Sequence, residues 1–136
     1  MIKKELPSGN VLEISTLSML KAYGISQQAI AIISEMEIDL GETKLSREEI
    51  KKIFATDILK FGQSIMQVFS NEKLVELAHQ CFERCTYNGL RLTTTPETIE
   101  ETFGENFGDY PIAMAYVLVE NIKPFITSLG SFLPKR

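Results

Sequence analysis

The sequence contains no tryptophan, a single histidine and only two cysteines. These scarcities exclude several kinds of chemistry. A zinc site takes four ligands, usually in two paired clusters, and His79, Cys81 and Cys85 fall short of that set. A Cys–His nucleophile needs both side chains to meet and a third group to orient the imidazole. Positions 79 and 81 point about 200° apart around a helix, and the local signatures of cysteine proteases are missing. Cys81 and Cys85 share one helix face, where they read as buried structural thiols. A disulfide between them does not suit a regular helix. Neither a catalytic residue, nor a metal site, nor a cofactor is expected.

Other absences narrow the class further. Lysine and arginine number 14 against 18 acidic residues, a net charge of −4, and no basic block stands out. Such a chain is a poor nucleic-acid binder. No apolar run reaches the about 20 residues that span a bilayer, so no membrane partner is expected. Repeats and low-complexity tracts are missing as well. The stretch Met1-Ile2-Lys3-Lys4-Glu5 is charged, and no apolar segment of secretory type follows it. Together with the scarce cysteine, this points to a reducing cytoplasm.

What is present suits one domain of 136 residues, 44% hydrophobic and 24% charged. The densest apolar stretch is Ile112 to Val119, inside the segment Gly108–Leu133. A helix apolar all round must be covered on all sides, so Ile112 to Ile122 is expected at the centre of the core. Pro124 lacks an amide for the Glu120 carbonyl and clashes with it, so a kink or break is expected there. Beyond it Phe125, Ile126, Leu129, Phe132 and Leu133 either pack back on the core or form a docking patch. They are the candidate partner-binding residues.

The rest of the chain reads as punctuation between helices. Residues 1–15 form an N-terminal hairpin around Pro7-Ser8-Gly9-Asn10, with Lys3, Lys4 and Glu5 on an exposed edge. Residues 16–107 form a helical body. It opens with helices over 16–23 and 27–36, separated by Gly24 and capped by Ser15 or Thr16 and by Ser26. A loop over 38–45 follows. Ser46-Arg47-Glu48-Glu49 is a capping box, and the helix it opens carries a stripe from Ile50 to Phe69. Gly62 interrupts that helix, and Asp57 lies near its stripe, where a buried charge needs a partner. Ser70-Asn71 caps a helix over 72–84 with Leu74, Leu77, Ala78, Cys81 and Phe82 inward. Asn88-Gly89 signals a small hairpin or tight turn.

Thr95-Pro96 starts a short helix that Gly104 ends, and Asp109 caps the last helix. Residues 108–136 are the C-terminal apolar helix and tail. The glycines of 104–108 are followed by neither lysine nor serine, so they do not make a phosphate loop. Glu48, Glu49, Glu97, Glu100, Glu101, Glu105 and Asp109 read as helix starts and solvated faces. The expected fold is mainly α: a bundle of about five to six helices with a short N-terminal β-hairpin.

Three stretches carry a family resemblance. The first is Leu6-Pro7-Ser8-Gly9, followed by Val11-Leu12-Glu13-Ile14 and Leu17. The second is the helix ending at Cys85, then Asn88-Gly89, threonines and a short acidic helix. The third is the last helix with Val119, Asn121 and Phe125. In this order they resemble the tail assembly chaperones of long-tailed bacteriophages and prophages. The resemblance implies a non-enzyme in the host cell cytoplasm that coats the apolar tape measure protein and keeps it soluble. It implies the tail tube protein as a second partner, and a homo-oligomer is compatible with it. No long polar carboxyl-terminal extension is identified, which tells against tube recruitment by this form of the chain. The alternative is a minor structural or connector protein of the particle. An enzyme would have only Asp57 and His79 to draw on.

Overall fold

The structure, a computed structural model, describes residues 2–35, 69–92 and 95–130, with side chains described to 32 and to 125 in the first and last of these. The elements in chain order are strands β1 (Ile2–Glu5) and β2 (Val11–Ile14) and helices α1 (Met19–Glu35) and α2 (Glu72–Cys81). A 3-10 turn, Phe82–Arg84, leads into strands β3 (Cys85–Tyr87) and β4 (Leu90–Arg91). Helices α3 (Pro96–Phe103) and α4 (Asp109–Gly130) complete the described chain.

The strands form one antiparallel sheet in the order β1-β2-β3-β4. This corrects the expected fold: the protein is mixed α/β, with a four-stranded sheet among the described residues, rather than a bundle of about five to six helices with a short N-terminal β-hairpin. Both hairpins lie where their turn residues place them. Gly9 takes φ +92°, and Asn88 and Gly89 take φ +50° and +81°, the positive pair that a type I′ turn demands. The unexpected feature is that β2 pairs with β3, with Leu12 opposite Tyr87 and Ile14 opposite Cys85. Strands of three or four residues carry too little alternation to announce a pairing across the intervening helices.

The sheet has one covered face. Leu12, Ile14, Cys85 and Tyr87 are buried on it, while Lys3, Glu13, Thr86 and Arg91 sit opposite one another on the outer face. As expected, β1 is an edge, and its charges guard it. Lys4 points inward, yet stays wet at its tip: its Nζ lies 5.4 Å from the centre of the Tyr116 ring and 3.8 Å from Glu120. A long stem with a charged head suits such a position.

Helix α4 is the centre of the molecule. Every residue from Ile112 to Val119 is buried, as are Asn121 and Ile122. Helices α1 and α2 both pack on it, and β2 touches it from the sheet side. The buried amide side chain in this stretch is satisfied twice. Asn121 accepts from the Leu17 amide at 2.8 Å and donates to the Val117 carbonyl at 2.7 Å. It thereby fixes the entry to α1 against α4.

Two local expectations fail. The chain from Met19 to Glu35 is one helix rather than two. Gly24 lies inside it, at a cost of up to about 1 kcal/mol relative to Ala. The burial of Ala22, Ile25 and Ala29 on either side outweighs that propensity. Ser26 is no cap. Its hydroxyl donates to the Ala22 carbonyl one turn back at 2.6 Å and is buried there. Likewise α4 does not break at Pro124 but continues to Gly130. Asn71 caps α2 as expected, accepting from the amides of Lys73 and Leu74. The loop over 38–45, the capping box at Ser46, Asp57 and Gly62 lie outside the described residues. Among the described residues, no helix is long and apolar enough to cross a membrane.

Candidate functional site

The most concentrated polar chemistry gathers where the first hairpin meets the start of α4. Asp109 is 1% exposed. Its carboxylate accepts from the Ser8 amide at 2.9 Å, from the Ser8 hydroxyl and from the Tyr87 hydroxyl at 2.8 Å. Around it, the Asn10 side chain donates to the Tyr87 hydroxyl at 2.6 Å. The Asn88 side chain joins both turns, accepting from the Val11 amide at 2.8 Å and donating to Asn10 at 2.7 Å. Burial, foremost, and then the Asp109 carboxylate push the Tyr87 phenol above its ordinary range, while Asn10 and Ser8 pull the other way. A carboxylate with several donors is held as an acceptor. Here it ties two turns and a helix start into one unit. Asp109 does stand at the helix start, but the expectation of a solvated face is overturned: it is buried in this network, whose partners lie 22 and 101 positions away and so leave no local signal.

His79 and the two cysteines are structural. Cys81 and Cys85 are free and buried, and the Cys85 thiol donates to the Cys81 carbonyl at 3.3 Å. Burial raises both thiols far above the ordinary range. Cys81 rises further beside Cys85, and Cys85 is pushed up to about 12, with the Ser15 amide opposing. Thiols so protonated are poor nucleophiles and poor metal ligands. Among the described residues no group of histidine, cysteine or carboxylate side chains is placed to hold a metal ion. The His79 ring stacks on Phe82 at 5.8 Å and hydrogen-bonds the Tyr110 hydroxyl through Nε2. Burial lowers its pKa from the ordinary value, against the opposing charge of Glu76.

Two surfaces remain. The first runs along α1, where Met19 is 71% exposed, Leu20 78% and Tyr23 45%. These positions lie on one helix face. Beside them a groove of about 490 Å³ separates α1 from α2, lined by Leu17, Leu20, Gly24 and Ile25 on one side and Gln80 and Glu83 on the other. Lys21 reaches Glu83 across it at 3.3 Å. Phe125, the first candidate partner-binding residue, is half-buried and packs its ring 5.4 Å from that of Tyr23. It therefore continues the α1 surface. Ile126 and Leu129 lie in the last turns of α4, with side chains outside the described set, and Phe132 and Leu133 lie outside it altogether. The α1 residues escaped sequence reasoning because Met19, Leu20 and Tyr23 are ordinary core types. Nothing in the sequence separates the face that is covered from the face that is not.

The second surface is an aromatic pocket of about 320 Å³ between α2, α3 and the start of α4. His79, Ile99, Phe103 and Tyr110 form its inner wall, with Pro96, Glu100 and Phe107 at its mouth. Phe103 holds the wall together, with ring contacts to Tyr87 at 4.8 Å, Tyr110 at 5.5 Å and Phe82 at 6.2 Å. Phe107 is 75% exposed.

No protein-family model, no curated protein and no solved structure matches the chain.

Proposed function

We propose that the protein is a non-enzymatic tail assembly chaperone of a long-tailed bacteriophage or prophage. It acts in the host cytoplasm by binding the apolar, helical tape measure protein and keeping it soluble. The observation that carries this reading is the uncovered apolar face of α1, Met19, Leu20 and Tyr23, running on to Phe125. A helix-in-groove complex needs apolar anchors at helical spacing beside a groove, and α1 offers both. The resemblance of Leu6-Pro7-Ser8-Gly9, Asn88-Gly89 and the last helix to that family gives the partner its identity. Among the described residues, the polar side chains best placed for catalysis, Asp109, His79 and the cysteines, are all engaged in holding the fold.

Co-expression of the full chain with the long helical protein encoded beside it tests the reading. The partner is expected to stay soluble and co-purify with the wild type. Met19→Glu and Leu20→Glu are expected to weaken capture at least about tenfold, a loss of 1.4 kcal/mol or more, without lowering Tm. Retained capture by both variants would refute the α1 assignment. Stoichiometric presence of the protein in purified particles would favour the connector reading instead.

A further inference from the structure

The aromatic pocket stands apart from the α1 surface in both place and charge. Its volume of about 320 Å³ lies at the lower end of ligand sites, a size that suits one long side chain better than a cofactor. Its lining is mainly aromatic and aliphatic, and Glu100 is its one carboxylate. The surroundings are acidic. Glu97, Glu101 and Glu105 are all exposed on α3 and the loop after it, and neither lysine nor arginine occurs between Arg91 and Lys123. Among the described residues, none of these four glutamates is paired in a salt bridge. Among the described residues that line the pocket, none is a lysine or arginine that could offer an anion its counter-charge. A wholly apolar group would leave the carboxylate beside it unused. Phe107, exposed at the mouth, is a large aromatic surface with its face unspent.

We propose that this pocket binds an arginine side chain of a partner protein segment, with the guanidinium lying on the Phe107 and Tyr110 rings and paired to the Glu100 carboxylate. Arginine fits better than lysine for geometric reasons. Its planar fork stacks on aromatic faces and meets a carboxylate through two parallel hydrogen bonds, whereas an ammonium is a compact, strongly hydrated point charge. His79 at the inner wall adds no competing cation near neutrality, since burial favours its uncharged form. Glu97, Glu101 and Glu105 supply a long-range attraction for further basic residues in the same segment. The surface is thus complementary to a basic, partly apolar segment, and it is independent of what covers α1.

The test is an amide-resolved NMR titration of the full chain with the peptide acetyl-Leu-Arg-Leu-amide. Matched peptides carry lysine or citrulline, the uncharged isostere, in place of arginine. Saturable shifts are expected at Glu100, Phe107 and Tyr110. Citrulline should bind about tenfold more weakly, because it loses both the ion pair and the cation–π contact, and lysine should fall between the two. Phe107→Ala and Glu100→Gln, both at exposed positions, should each weaken arginine-peptide binding at least about threefold with unchanged Tm. Leu20→Glu should bind the peptide like the wild type, which separates this site from the α1 surface. Equal affinity for the arginine and citrulline peptides would overturn the proposal. So would shifts mapping elsewhere, shifts absent at about 10 mM peptide, or both pocket variants binding normally. Free arginine amide binding as tightly as the peptide would make this a small-molecule site and overturn the partner assignment.

Discussion

Replacing Asp109 should loosen the molecule at the junction of its sheet and its central helix. The wild-type carboxylate is 1% exposed and accepts from the Ser8 amide, the Ser8 hydroxyl and the Tyr87 hydroxyl. Hydrogen bonds to a charged group contribute about 1.5–3 kcal/mol each, but the desolvation of the carboxylate offsets much of the sum. Asp109→Asn keeps the shape and one acceptor oxygen. Its new amide donors then face hydroxyls that were donors themselves, and the favourable charge at the α4 N-terminus, worth about 0.3–1 kcal/mol, disappears. We expect a loss of about 2–3 kcal/mol for Asn and about 3–5 kcal/mol for Ala, which leaves the Ser8 and Tyr87 donors stranded. Against a total stability of about 5–15 kcal/mol, either is large. With a urea m-value of about 2 kcal/mol/M, the Asn variant should lower the unfolding midpoint by about 1–1.5 M at unchanged m. Ser8→Ala should cost about 1–1.5 kcal/mol alone and be non-additive with Asp109→Asn, since the bond from the Ser8 hydroxyl to Asp109 is disturbed by both. An Asn variant within about 0.5 kcal/mol of wild type, or strict additivity of the pair, would refute the view that this carboxylate locks hairpin to helix.

Two further outcomes follow from the same contacts. Burial lowers the His79 pKa below its ordinary 6.5, so on acidification the unfolded chain takes up the proton first. The stability owed to His79 is therefore complete above pH 6.5 and declines as the pH falls towards the lower folded value. Tm measured between pH 7.5 and 5.5 should drop more for the wild type than for His79→Gln, and parallel profiles would exclude this role. Gly89 sits at φ +81° with open space around its Cβ position, so Gly89→Ala meets backbone strain but no clash. It should cost about 1 kcal/mol in chemical denaturation, whereas Gly24→Ala, inside α1 with open space and no positive φ, should be neutral or stabilising by up to about 1 kcal/mol.

Local chemistry in this chain was legible, and non-local pairing was not. Asn88-Gly89, Thr95-Pro96, Asn71 and the apolar run from Ile112 to Val119 each name their structure within a few residues, because a turn, a cap or an all-apolar face is a property of neighbours. The β2–β3 pairing depends on Leu12 meeting Tyr87, and nothing in either strand specifies the other. Gly24 and Ser26 misled for a related reason. Both are punctuation by propensity, yet burial of Ala22, Ile25 and Ala29 carries the helix through them, as tertiary packing commonly overrides propensity. The candidate surfaces were half visible. Phe125 was singled out and does adjoin the α1 face through Tyr23, but Met19 and Leu20 have the composition of a core. Only their exposure, 71% and 78%, marks them as surface.

The residues that hold the fold and the residues that face outward are separate sets, and this makes the functional reading testable without unfolding the protein. Asp109 and Asn121 are satisfied by partners on the first hairpin, on β3 and at the entry to α1, so changing either disturbs the packing of several elements at once. Met19 and Leu20 project from a helix whose other face is anchored by Ala22, Ile25 and Ala29, and Phe107 from the turn that follows the anchored Ile99 and Phe103. Exposed positions of this kind change stability by no more than about 0.5 kcal/mol when substituted, although a large apolar group in water costs about 25 cal/mol for every Å² left uncovered. The proposed reading gives these groups a use, since exposed apolar surface of this kind marks contacts with other proteins when it is contiguous. If charged substitutions at Met19 and Leu20 raised solubility, left Tm unchanged and left every partner interaction intact, that inference would fail.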